Sequence, residues 1–344
     1  MSVIPKVTLR KILSQTELVD PQGITPFVAL HLGRCDNVHV RRTSAVGYVE
    51  TVGAPPQGDS RWVYVSYQHV QDCLRFIDSE EVELSLLSNG GLVLKAANSP
   101  FETDLRVHTV DSSRSGFKRH DPGGSFKAID PSWLGGFSVK PLNVSAPPVI
   151  AGNKLILVTP AGVVMVSLGQ TDPLPTNPRA SFLKAISGVV EGVMDLSDNG
   201  FFRFSSDGVT VVTAGHQGHA AASLTQMLLS PSSGPALRFP GPRIIHAMKA
   251  VAALAHPLAL VQMSPRTGIS SKDGFGNPCR FGLGDVPAFN SISMSNKTSQ
   301  LIAEALGQIE SEAVSLAFLG GPSGSYRMRR GSCYVVFGTI PAKD

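Results

Sequence analysis

Few residues in this chain have the types and spacing that chemistry requires. His216 and His219 flank a Gln-Gly turn, and Asp195 and Asp198 sit close together, as metal ligands or an acid–base pair would. Neither set is complete. No cysteine or carboxylate stands at metal-ligand spacing from the histidines, and Asp198-Asn199-Gly200 reads as a hairpin turn. Cys35, Cys73, Cys279 and Cys333 are far apart and form no CxxC pair, so buried reduced thiols are expected. There is no GxxxxGKS or GxxxxGKT phosphate loop, no GxSxG elbow and no HExxH pair. Gly90-Gly91 and Gly320-Gly321 read as strand turns. The expectation is a protein that is not an enzyme, with no cofactor and no metal.

Composition narrows the class. The chain has 344 residues, 42% apolar and 16% charged, which suits folded domains rather than disorder. Its net charge of +4 permits a polyanionic partner without demanding one. The opening residues MSVIPKVTLRK lack the apolar stretch expected of a signal peptide, and Leu155 to Leu168 is too short and too broken by Thr159-Pro160-Ala161-Gly162 to span a bilayer. A cytoplasmic protein is expected.

The elements repeat in pattern. From Ser66 a helical stripe of Val70, Cys73, Leu74 and Ile77 precedes Val82 to Leu86 in strict alternation. An Asn89-Gly90-Gly91 turn follows, then Leu92 to Ala96 and a last strand from Glu102 to Val110. The shape recurs near Arg179 (Phe182, Ile186, Val189, Val190 and Val193, then a hairpin from Phe201 to Ala214). It recurs at Lys297 (Leu301, Ile302, Ala305, Leu306 and Ile309, then strands at Ala313 to Leu319, Ser325 to Arg329 and Cys333 to Ile340). Weaker copies start near Lys6, Phe126 and Gly241, so successive starts lie 53 to 62 residues apart. One such unit leaves an apolar face uncovered, so units must pair. Six units predict an α+β fold of three similar domains, 1–120, 121–230 and 231–344, joined near Gly116 to Gly124 and Ser230 to Pro242.

The letters then resemble a known family, the bacterial DNA polymerase sliding clamp (β clamp). Trp62 to Ser66 with the helix and strands that follow looks like the second half of that family's first domain. Leu157 to Val166 sits where the family carries its Thr-Asp-Gly-His-Arg-Leu-Ala-Val turn. Tyr334-Val335-Val336-Phe337-Gly338-Thr339-Ile340-Pro341 is similar to its Tyr-Val-Val-Met-Pro-Met-Arg-Leu terminus. The resemblance covers essentially the whole chain and is loosest over Gly241 to Asp285. Pro160, Gly162 and Val163 replace the family's Asp, His and Arg, and such drift suggests a clamp from a phage or other mobile element.

The resemblance implies a DNA-clamp fold that closes head to tail as a homodimer ring on double-stranded DNA, without sequence specificity. It also implies a processivity factor that binds DNA polymerase and clamp loader through short peptide motifs. Nine cations on the six expected helices would face the pore: Lys6, Arg10, Lys11, Arg75, Lys127, Lys184, Arg243, Lys249 and Lys297. The peptide pocket would use Thr159, Gly162, Val163 and Val164 from the central turn and Val335, Val336, Phe337 and Gly338 from the end, with Leu228 and Leu229 near the joint. Phe101, Leu105 and Val107 would form the dimer interface, meeting an edge within Phe275 to Leu283. The competing readings are a phage structural protein built from repeated sheets, and a clamp-like regulator that sequesters a host's clamp-binding partners.

Overall fold

The computed structural model describes residues 2–19, 27–32, 38–43, 47–51, 61–88, 90–97, 105–110, 124–129, 136–169, 174, 176–187, 192–206, 208–217, 228, 231–284, 286, 288–320 and 324–340. The chain packs as two compact units. Met1–Pro131 with Ser181–Gly215 form the first, and Ser132–Ala180 with His216–Asp344 form the second.

Helices begin where five of the six expected repeats begin: α1 (Lys6–Val19), α2 (Tyr67–Phe76), α3 (Ala180–Ile186), α4 (Gly241–Leu254) and α5 (Asn296–Leu306). Local chemistry sets several of these starts. Ser66 Oγ accepts from His69 N at 3.4 Å and Ser295 Oγ from Thr298 N at 3.1 Å, each capping a first turn whose N–H groups would otherwise lack partners. Gly241-Pro242 opens α4, and proline suits a first turn that needs no donor. The copy expected near Phe126 differs. Phe126–Ile129 is a strand, antiparallel to Val193–Ser197, so Lys127 lies on a strand and not on a helix.

In the first unit, Ser2–Pro5, Glu81–Leu86, Leu92–Ala96 and Leu105–Val107 make a four-stranded sheet in that order. A nine-stranded sheet runs Phe126–Ile129, Val193–Ser197, Phe201–Ser206, Val209–Ala214, Gly47–Thr51, Val38–Thr43, Phe27–Leu32, Arg61–Ser66, Thr109–Val110. The expected single strand from Glu102 to Val110 is therefore two strands that belong to different sheets. Leu9 and Leu13 of α1 and Val70 and Leu74 of α2 are buried, and Phe182 of α3 packs on Phe202 with ring centroids 5.4 Å apart. Each such side chain is worth roughly 1.5–3 kcal/mol of burial.

In the second unit, a seven-stranded sheet runs Val149–Ala151, Lys154–Thr159, Gly162–Ser167, Cys333–Gly338, Ser325–Arg330, Ala313–Gly320, Leu237–Pro240. A four-stranded sheet runs Pro278–Phe281, Gly268–Lys272, Leu260–Ser264, Ile292–Ser295. The expected linker from Ser230 to Pro242 thus contains a sheet strand. Residues of the middle third supply strands to both large sheets, 126–129 and 193–214 to one and 149–167 to the other. Among the described residues no helix is long and apolar enough to cross a membrane.

Candidate functional site

Two arrangements concern function: cations on helices, and the region around the turn at Thr159. On α1, Lys6 Nζ donates to the Ile77 carbonyl and Arg10 Nη2 donates to the Leu74 carbonyl at 3.0 Å. Both therefore sit at the negative, C-terminal end of α2 and have a structural use there. Arg75 is exposed on α2 and pairs with Asp72 at 3.3 Å. Lys11 and Lys184 are half-buried, while Arg10, Arg75, Lys127, Arg243, Lys249 and Lys297 are exposed.

On α4 the geometry is more regular. Ile244, Ile245, Ala247, Met248 and Val251 are buried, whereas Arg243, His246 and Lys249 recur every three residues on the solvent side. Sequence reasoning missed His246, although its spacing from the two cations was the available signal. Lys297 has another setting. Together with Gln300, Leu301 and Glu304 of α5 it lines a cavity of about 210 Å3, whose other walls are Pro141, Asn143, Thr159, Pro160 and Ala161.

The turn is fixed from several directions. Thr159 Oγ1 donates to the Gly162 carbonyl at 2.8 Å, and Thr298 Oγ1 donates to the Ala161 carbonyl at 3.2 Å, tying the turn to α5. The central turn and the last strand are neighbours, as the expected pocket requires: Val163 pairs with Val336 and Val164 with Val335. Alternation divides the expected residues between two faces. Thr159, Val164, Val335 and Phe337 are buried on the face toward α5, where a Cβ at Gly162 would also meet Leu301 Cδ2 at 3.3 Å. Val163 and Val336 lie on the opposite face, in a cluster with Ile156, Met165 and Leu228. Gly338 is exposed at the strand's end. Leu229 and Phe101 lie outside the described residues.

The remaining candidates resolve simply. Asp195 Oδ2 accepts from Arg203 Nε at 2.9 Å and Nη2 at 2.7 Å, a structural pair in register across two strands. Asp198 is in a turn. His216 forms a bridge with Asn177, and burial lowers its pKa; His219 lies outside the described residues. Among the described residues no three His, Cys, Asp or Glu side chains are grouped to hold a metal. Leu105 is half-buried, and Val107 is 2% exposed, packed within its own unit.

Repeated helix-and-sheet units of this order define the fold of the DNA polymerase sliding clamps. Among solved structures, the chain is similar to the sliding clamp of Bacillus subtilis (TM-score 0.70, 12% identity), with 99% of each chain covered. It is similar to the DNA polymerase III beta subunit of Thermotoga maritima (0.71, 12%) and to the sliding clamp of Pseudomonas aeruginosa (0.67, 14%), again with 99% of each chain covered. No protein-family profile matches the chain, and no curated protein sequence does. At these identities the likeness is one of fold.

Proposed function

We propose that this protein is a sliding clamp, a processivity factor that encircles duplex DNA and tethers a polymerase to it. The observation that carries the reading is the end-to-end match of fold, 99% of both chains, to structures described as DNA polymerase clamps. Three domains, 1–120, 121–230 and 231–344, would each turn the chain by about a sixth of a circle, so two copies would close a ring head to tail. Two outer strands support that closure: Leu105–Val107 at the end of one four-stranded sheet and Pro278–Phe281 at the end of another.

The exposed stripe Arg243, His246 and Lys249 suits phosphate contacts that ignore sequence, as sliding demands. Peptide motifs of a polymerase or clamp loader would dock at the cavity between the Thr159–Ala161 turn and α5, where Leu301, Pro141 and Pro160 offer apolar walls and Lys297 and Glu304 offer charge. The role is tethering in the cytoplasm of a bacterium or a phage-infected cell, with no reaction of its own.

The test is topological. Purified protein loaded on nicked circular duplex should stay bound through gel filtration and leave once the circle is cut. A mass near 36 kDa in sedimentation at micromolar concentration, with no retention on circles, overturns the ring and favours a regulatory protein that uses the same fold.

A further inference from the structure

The two large sheets treat their arginines differently. In the nine-stranded sheet, Arg41 stands opposite Glu50 in register and bonds its Oε2 from Nε at 2.6 Å, and Arg203 does the same with Asp195. The seven strands of the second unit's large sheet carry Lys154, Arg238, Arg327, Arg329 and Arg330 and not one aspartate or glutamate. Arg330 is explained structurally, since it turns inward onto the Ser311 and Leu306 carbonyls. The other four alternate onto the face away from α5, as Arg327 does in donating to the Leu228 carbonyl at 3.0 Å.

On that face a row crosses four strands in register, Arg238 to Ser315 to Arg329 to Tyr334. Arg238 and Arg329 are exposed, and among the described residues no ion pair reaches either of them or Lys154. The Arg329 guanidinium lies over the Tyr334 ring, 5.0 Å from its centroid, and its Nε donates to the Gly331 carbonyl at 3.0 Å, so a cation and an aromatic ring are held together on the exposed face. Arginines two strands apart are separated by roughly 10 Å, a gap that two nearby phosphates of a flexible single strand can bridge.

We propose that this face binds single-stranded nucleic acid, with Arg238, Arg329 and Lys154 on phosphates and a base stacked on the Arg329–Tyr334 pair. Uncompensated cations make the face attractive to any polyanion; the arginine–tyrosine pair is what selects a strand with free bases over an acidic protein. The α4 stripe assigned to duplex DNA is on a helix that packs beside α5 and against Leu237–Pro240 and Ala313–Gly320, whereas Arg238, Arg329 and Lys154 alternate onto the face away from α5, so the two sites are on opposite sides of the sheet.

Fluorescence anisotropy with labelled 20-nucleotide oligo-dT tests this on the full-length protein. The R238E/R329E double variant should bind at least tenfold more weakly at 100 mM salt, with its log–log salt slope reduced by about 0.7 per arginine. R243E/K249E should stay within about threefold of the parent, and R329K should lose more affinity for oligo-dT than for a 20-base-pair duplex. Equal thermal midpoints will show that the variants fold.

Unchanged oligo-dT binding in R238E/R329E overturns the proposal. So does equal affinity for duplex through the same arginines, or displacement of oligo-dT by poly-glutamate at matched charge. Retention on circular duplex, read on R238E/R329E, reports the clamp reading separately and should be unaffected.

Discussion

Gly162 lies so close to Val336 that a Cβ in place of its hydrogen would stand 2.6 Å from the Val336 carbonyl oxygen, with Leu301 Cδ2 at 3.3 Å on its other side. That carbonyl is backbone and cannot swing away, so the strand Gly162–Ser167 would have to part from Cys333–Gly338. Gly162→Ala should cost about 1–3 kcal/mol in chemical denaturation. It should also weaken peptide docking, because the same shift opens the turn that walls the cavity. A variant as stable as the parent would mean the two strands tolerate separation.

Arg330 is 8% exposed, and its guanidinium donates to the Ser311 carbonyl at 3.0 and 2.8 Å and to the Leu306 carbonyl at 3.1 Å. Leu306 ends α5, so the arginine closes carbonyls that the helix leaves open. Arg330→Met keeps the aliphatic bulk and removes the donors, taking three hydrogen bonds from the Ser311 and Leu306 carbonyls and leaving Leu306 with the Ile309 N–H at 3.3 Å. A loss of about 2–4 kcal/mol is expected. Because α5 also lines the cavity, hydrogen exchange of its last turn should speed up first.

These two sites show what was legible in the sequence. The hairpins Glu81–Leu86 with Leu92–Ala96 and Phe201–Ser206 with Val209–Ala214 follow alternation and turn residues that are local. Helix starts at Ser66 and Ser295 announce themselves by caps. Phe126–Ile129 misled because four residues fit either period, and its strand partner, Val193–Ser197, is far along the chain. The switch of sheet between Val107 and Thr109 was hidden for the same reason. At the candidate site, the adjacency of Val163–Val164 and Val335–Val336 was foreseeable, but that Val163 shares a face with Val336 and Val164 with Val335 followed only once register was known. That Lys297 lines the cavity was not legible, since helix phase alone does not say what stands beside the helix.

Burial pushes the Cys333 thiol up to about 12 from an ordinary 9.0. The folded state therefore holds this proton more tightly than the unfolded chain. The resulting stability is fully present below pH 9, where both states are protonated, and drains away as pH climbs from about 9 toward about 12. Comparing the parent with Cys333→Ala in urea at pH 8 and pH 10.5 should show the parent losing more stability over that interval. At pH 8 the native thiol should resist alkylation until denaturant is added, and rapid native labelling of Cys333 would contradict its burial.

The outer strand Leu105–Val107 permits a test of ring closure that leaves the core alone. Its inner edge pairs in register with Leu92–Ala96, Leu105 opposite Leu94 and Arg106 opposite Val93. In an antiparallel strand consecutive N–H groups point to opposite sides, so one of Leu105 and Arg106 donates into its own sheet and the other donates outward. Proline removes a donor, which is harmless to the parent sheet only where that donor faces out. Of Leu105→Pro and Arg106→Pro, one should unfold part of the first unit. The other should keep the parent's circular dichroism yet sediment as a monomer at concentrations where the parent is dimeric, and slip from circular DNA. A folded proline variant that remains dimeric, at either position, would exclude this edge from the closure and move the search to another surface of the first unit.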